Sequence, residues 1–96
     1  MLFHLTWTRR ESAANADAQV LATLDKLEIP ADMTIHAWVQ RTDGMGGFGL
    51  IESDNAESLA VGPLLFAPMF EYEMHLVLQH EDSVALLAKA VEARGG

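Results

Sequence analysis

Asp43-Gly44, set between two runs of alternating residues, constrains this chain more than any other feature. Met33 to Gln40 precede the turn Arg41-Thr42-Asp43-Gly44, and Met45 to Glu52 follow it. Asp-Gly in such a place marks a β-hairpin, because glycine takes φ > 0 without steric cost. The turn sets the register, and the register decides which side chains share a face. By alternation Met33, Ile35, Ala37 and Val39 face one way, with Thr34, His36, Trp38 and Gln40 opposite. On the next strand Phe48 and Leu50 oppose Gly47, Gly49 and Ile51. Glycines within a strand mark a bulge or a close approach of something to the backbone. Gly44 to Gly49 superficially resembles a dinucleotide loop, but it opens a strand and not a helix, which removes the phosphate-binding geometry.

The remaining segments arrange themselves around this hairpin. Met1 to Thr8 alternates as a strand, with Phe3, Leu5 and Trp7 against Leu2, His4 and Thr6. Thr8-Arg9-Arg10-Glu11 has the form of a capping box, predicting a helix from there to about Leu27 with Val20, Leu21, Leu24 and Leu27 as its stripe. Pro30 stops it. Asp54-Asn55-Ala56-Glu57 starts a second helix, expected to end near Gly62-Pro63, with Leu64 to Met69 as an apolar link. Phe70 to Gln79 reads as the fourth strand, with Glu71, Glu73, His75 and Val77 sharing a face. A last helix begins around Asp82, its stripe being Val84, Leu87, Ala88 and Val91.

The order β-α-β-β-α-β plus a C-terminal helix is the split βαβ, or ferredoxin-like, arrangement of an α+β domain. Right-handed crossovers place the two main helices on one face of a four-stranded antiparallel sheet, in the order fourth, first, third, second. The 96 residues suit a single domain, 1–96. A net charge of −8 with only six basic residues argues against nucleic acid. The sole basic pair, Arg9-Arg10, reads as solvated residues at a strand end in preference to an anion site. The absence of cysteine excludes disulfides and thiolate chemistry. No apolar run approaches a membrane span and no signal-peptide pattern opens the chain, so a cytoplasmic protein without membrane contact is expected.

The second sheet face is expected to hold Leu2, His4, Thr6, Thr34, His36, Trp38, Gly47, Gly49, Ile51, Glu71, Glu73, His75 and Val77. Such a face is too apolar for water and too polar for a plain core. A second copy covering it, sheet against sheet about a two-fold axis, leaves a polar-lined cavity between the sheets.

Met1 to Thr8, Asp43 to Glu52 and Phe70 to Met74 together resemble an uncharacterised bacterial family, domain of unknown function 3303, of the dimeric α+β barrel group. The resemblance spans nearly the whole chain. It implies a ferredoxin-like protomer that forms a homodimer through its sheet. The wider group includes cofactor-free monooxygenases, isomerases, cyclases, dehydratases and haem-binding proteins, so function transfers from it by analogy only.

Three histidines share the parity of the second face. His4 and His75 are expected as cross-strand or diagonal neighbours, with His36 two strands from His4, about 10 Å away. Histidine moves protons near neutral pH, as does a carboxylate against an apolar wall, so His4, His36, His75 and Glu73 are the candidate acid–base groups. Thr6, Trp38, Gly49 and Ile51 are the candidate ligand-binding residues beside them. The molecule that suits this set is small and partly apolar, aromatic or polyketide-like, and needs no cofactor. Ser12, Ser53, Ser58 and Ser83 fall at helix starts or within helices, where capping is their expected role. Two other readings stand beside this one: a non-catalytic dimerisation or regulatory domain, and metal or haem binding through a sheet-face histidine such as His4 or His75 with Glu73.

Overall fold

The computed structural model describes all residues, 1–96. Four strands, β1 (Leu2–Arg9), β2 (Thr34–Gln40), β3 (Gly46–Glu52) and β4 (Phe70–Val77), form one antiparallel sheet in the order β2-β3-β1-β4. The helices are α1 (Asp17–Lys26), α2 (Ala56–Phe66) and α3 (His80–Ala93). This is the expected α+β, ferredoxin-like βαββαβ arrangement with an added C-terminal helix. No helix is long and apolar enough to cross a membrane.

The hairpin forms as its sequence dictates. Gly44 has φ +73°, its N–H donates to the Arg41 carbonyl at 3.0 Å, and the Arg41 N–H donates to Gly46 at 2.8 Å. The Asp43 carboxylate accepts the Met45 N–H at 2.9 Å and pairs with Arg41. Those contacts, the Met45 amide foremost, hold its carboxyl below the usual carboxylate range.

Two local expectations change. The Thr8–Glu11 capping box does not form, because β1 carries on through Arg9 and uses the backbone there. Arg9 N–H donates to Met45 at 2.7 Å and Arg10 N–H to Met69 at 2.8 Å. A single 3₁₀ turn, Glu11–Ala13, follows, and α1 starts only at Asp17. Helix α2 runs through Gly62-Pro63 to Phe66, four residues past the expected stop. Proline's ring meets the Cβ of the preceding residue in a helix, and Gly62 has none. Asn55 caps α2 as expected, accepting the Glu57 N–H at 3.0 Å.

The core is small. Ala13, Phe66, Met69 and Phe70 are buried together, with Trp7, Ala16, Val20, Leu27, Leu65 and Tyr72 packed around them. Only ten of the 96 residues are buried in all. Helix α3 adds nothing to this core: every residue from His80 to Ala93 except Ala90 is exposed, its stripe of Val84, Leu87 and Val91 included. The molecule is accordingly elongated, 56 × 29 × 19 Å.

Candidate functional site

The sheet has two faces of different character, and the registers assign residues to them differently from simple alternation. Opposite Phe3, Leu5 and Trp7 of β1 stand Ile51, Gly49 and Gly47 of β3. These three therefore share the helix-covered face, and Phe48 and Leu50 take the open one. The cause is steric. Trp7 lies against the bare backbone of Gly47 and Gly49, whose missing side chains give the indole its room.

A β-bulge makes the second change. Ile35 pairs with Ile51 and Ala37 with Leu50, leaving His36 as an extra residue. Beyond it the parity of β2 inverts, so Trp38 and Gln40 pair with Gly49 and Gly47 on the helix side. Alternation cannot show such an insertion, although the glycine-rich partner strand was a hint of one.

The open face brings together four of the expected site residues. His4 is directly opposite His75, and Thr6 opposite Glu73. His75 Nε2 is 3.7 Å from Glu73 Oε2, and the His4 ring lies 5.5 Å from Phe48, tilted by 43°. His36 is separate. On β2, two strands from His4, its Nε2–H donates to Glu52 Oε1 of the neighbouring β3 at 2.8 Å. Glu73 and His75 are exposed, so neither sits against an apolar wall. No group of three or more His, Asp or Glu side chains is placed to hold a metal ion.

The concave site lies on the other side. Between the sheet and helices α1 and α2 is a pocket of about 400 Å³. Leu5, Trp7, Ile35, Trp38, Gly49, Ile51, Phe70 and Tyr72 line it from the sheet, and Val20, Leu24, Leu59 and Phe66 from the helices. Leu27, Ile29, Pro30 and Met33, on the connection after α1, close one end. Trp38, Gly49 and Ile51 thus do line a pocket, but one between sheet and helices, on the opposite face from His4, Glu73 and His75. The expected single cavity between sheets, lined by both sets, is corrected on this point: the bulge and the glycines divide the predicted residues between two faces.

Polar groups in the pocket wall are few. Arg9, Gln40, Ser58 and Tyr72 contribute them, with no carboxylate and no histidine. Ser58 Oγ is engaged, donating to Asp32 at 2.7 Å across the helix–loop junction. Burial pushes the Tyr72 hydroxyl up to about 12. Arg9 is not the solvated residue expected at a strand end: its side chain is 8% exposed, held by Asp17 and lying 5.7 Å over the Phe70 ring. The sequence signal for it was available, since Arg9 shares the parity of Leu5 and Trp7 on the buried face of β1. Arg10 points elsewhere, its Nε–H donating to Ala67 at 2.8 Å and its Nη1 to Glu71 at 3.2 Å.

Comparison with curated proteins and with solved structures returns no match. The family model described as "Domain of unknown function (DUF3303)" matches residues 1–91, nearly the whole chain. With that span and the ferredoxin-like topology described above, this chain belongs to the DUF3303 family.

Proposed function

We propose that this protein binds a small, largely apolar molecule in the pocket between its sheet and helices α1 and α2. One observation carries the reading: a cavity of about 400 Å³, walled by Trp7, Trp38, Ile51, Leu59 and Phe66, stays open in a chain with so small a core. Concave, mostly apolar sites of roughly 300–1,000 Å³ with a few polar groups are the usual form of a small-molecule pocket. The wall contains no acid–base pair, so the reading is of binding, with no catalytic step assigned to His4, His36, His75 or Glu73. The test is titration with N-phenyl-1-naphthylamine, a neutral apolar dye that fluoresces on leaving water. Saturable enhancement with one site per chain is expected, and its loss in Leu24→Trp, which fills the pocket from α1. Absence of saturable binding, or unchanged binding by Leu24→Trp, overturns the reading.

A second reading concerns assembly. The open sheet face presents Val39 and Phe48, 46% and 40% exposed, beside Ala37 and Leu50, and the apolar stripe of α3 has no partner in its own chain. These surfaces support a homodimer closed sheet to sheet about a two-fold axis, with His4, Glu73 and His75 in its interface. Sedimentation velocity distinguishes the outcomes. A dimer that Phe48→Glu dissociates supports the arrangement, and a monomeric wild-type protein excludes it.

A further inference from the structure

We infer that the ligand of this pocket is a small apolar acid, its body among the aromatic and aliphatic side chains and its carboxylate on the guanidinium of Arg9. The inference rests on the pocket reading above and adds the chemical class. Of 14 acidic and six basic residues in the chain, the pocket wall includes no acid and one base, Arg9. The only formally charged side chain in the wall is thus a base, paired with Asp17 outside the wall, in a protein of net charge −8.

Arg9 is also incompletely used. Nη1 donates to the Asp17 carboxylate and, at 3.5 Å, to the Ala14 carbonyl. Nε is buried without any hydrogen-bond partner, and Nη2 makes no hydrogen bond either. A buried donor without an acceptor is costly and rare in a native protein. Asp17 is 80% exposed, so its pair with Arg9 lies partly in water, where such an attraction is weak. Of this unbonded edge, Nε is enclosed by protein, which leaves the Nη2 N–H groups as the donors that a carboxylate oxygen reaches. The ring of Phe70 supports the guanidinium from one side.

Tyr72, the other titratable group in the wall, is protonated across the physiological range as any phenol is, and burial raises its hydroxyl further, to about 12. It is a donor without a partner in the protein. The Arg9 guanidinium, the Tyr72 hydroxyl and the Gln40 amide can all donate here, and an acceptor-rich head group completes the site. The apolar remainder of the ligand meets Trp7, Trp38, Ile51 and Phe66.

The experiment compares two probes of nearly one shape, 1-naphthylacetate and 1-naphthaleneacetamide, by calorimetry at pH 7 on the whole chain. The acid is expected to bind about tenfold more tightly, the scale of a charge-assisted hydrogen-bonded pair. Arg9→Gln should abolish that preference, so that any remaining binding no longer distinguishes acid from amide. Asp17→Asn, which removes the competing carboxylate and leaves the pocket wall intact, should strengthen acid binding severalfold. Equal affinity for acid and amide in the unaltered protein overturns the inference while leaving the pocket reading standing. Failure of all three probes removes both. Because the acid–amide comparison uses the unaltered chain, it holds even if Arg9→Gln fails to fold.

Discussion

Trp7 occupies the space that a side chain at Gly47 would need: a Cβ built on Gly47 would lie 2.8 Å from Trp7 Cζ2 and 2.2 Å from the Val39 carbonyl oxygen. The two residues are directly opposite across β1 and β3. This one fit decides which face of β3 meets the helices. It also sets one wall of the pocket, because the indole that rests on Gly47 lines the cavity beyond it.

Gly47→Ala should therefore lower stability by about 1–3 kcal/mol, the range for overpacking a filled site. Gly49 is the control within the same strand. A Cβ there meets Ala37 O at 3.5 Å and Trp7 Cζ3 at 3.7 Å, ordinary contacts, so Gly49→Ala should be neutral or stabilising by roughly 0.5 kcal/mol. Urea unfolding followed by tryptophan fluorescence measures both. Equal effects at the two positions would show that Gly47 is not enclosed between the Val39 carbonyl and Trp7 as described.

The hairpin turn depends on Gly44 for its φ of +73° and not for space, since nothing lies within 4 Å of a Cβ there. Gly44→Val should cost about 1–3 kcal/mol through backbone strain alone, and Gly44→Asn clearly less, because asparagine tolerates the left-handed region. Thermal unfolding of the two variants separates strain from packing.

Tyr72 is the only tyrosine in the chain, so absorbance near 295 nm follows its ionisation without interference from another phenol. Burial raises its folded-state value to about 12, against roughly 10 for a free phenol. The folded protein thus holds the proton more tightly than the unfolded chain. That contribution to stability is complete below about pH 10 and is lost as pH rises towards 12. The titration midpoint should lie well above 10 in the folded protein and return to about 10 in urea.

Asp43 and Asp54 predict the acid limb. The Met45 N–H and Arg41 hold the first below the usual carboxylate range, and the ammonium of Met1 the second. Depressed folded values stabilise the protein above the unfolded carboxylate value, roughly 3.9, and that stability drains as pH falls through the folded values. Unfolding free energy should decline below about pH 4, and the Asp43→Asn/Asp54→Asn double variant should follow a flatter course there. The difference will be modest, since both carboxylates are exposed.

Much of this architecture was written locally. Asp43-Gly44 fixed a hairpin, Asn55 a helix start, and the order of apolar periods a ferredoxin-like sheet with β1 and β4 adjacent, which put His4 opposite His75. Periodicity also marked α3 as a helix. It said nothing of whether its stripe would find a partner, because a period describes one face of one element.

The site was less legible, and the reasons lie in contacts between elements. The extra residue at His36 inverts β2 without changing its alternation, so Trp38 crossed to the helix side. Gly47 and Gly49 joined it because Trp7, some 40 residues earlier in the chain, needed their backbone surface, and Ile51 followed by alternation, opposite Phe3. Arg9 has the parity of a buried strand position, yet only the packing of Phe70 and Asp17 around it decided that its charge would be enclosed with one edge unfilled. The sequence alone determined the elements, the strand order and the chemistry available on each strand. The tertiary structure alone decided which side of the sheet that chemistry faces, because register and close packing depend on residues far apart in the chain.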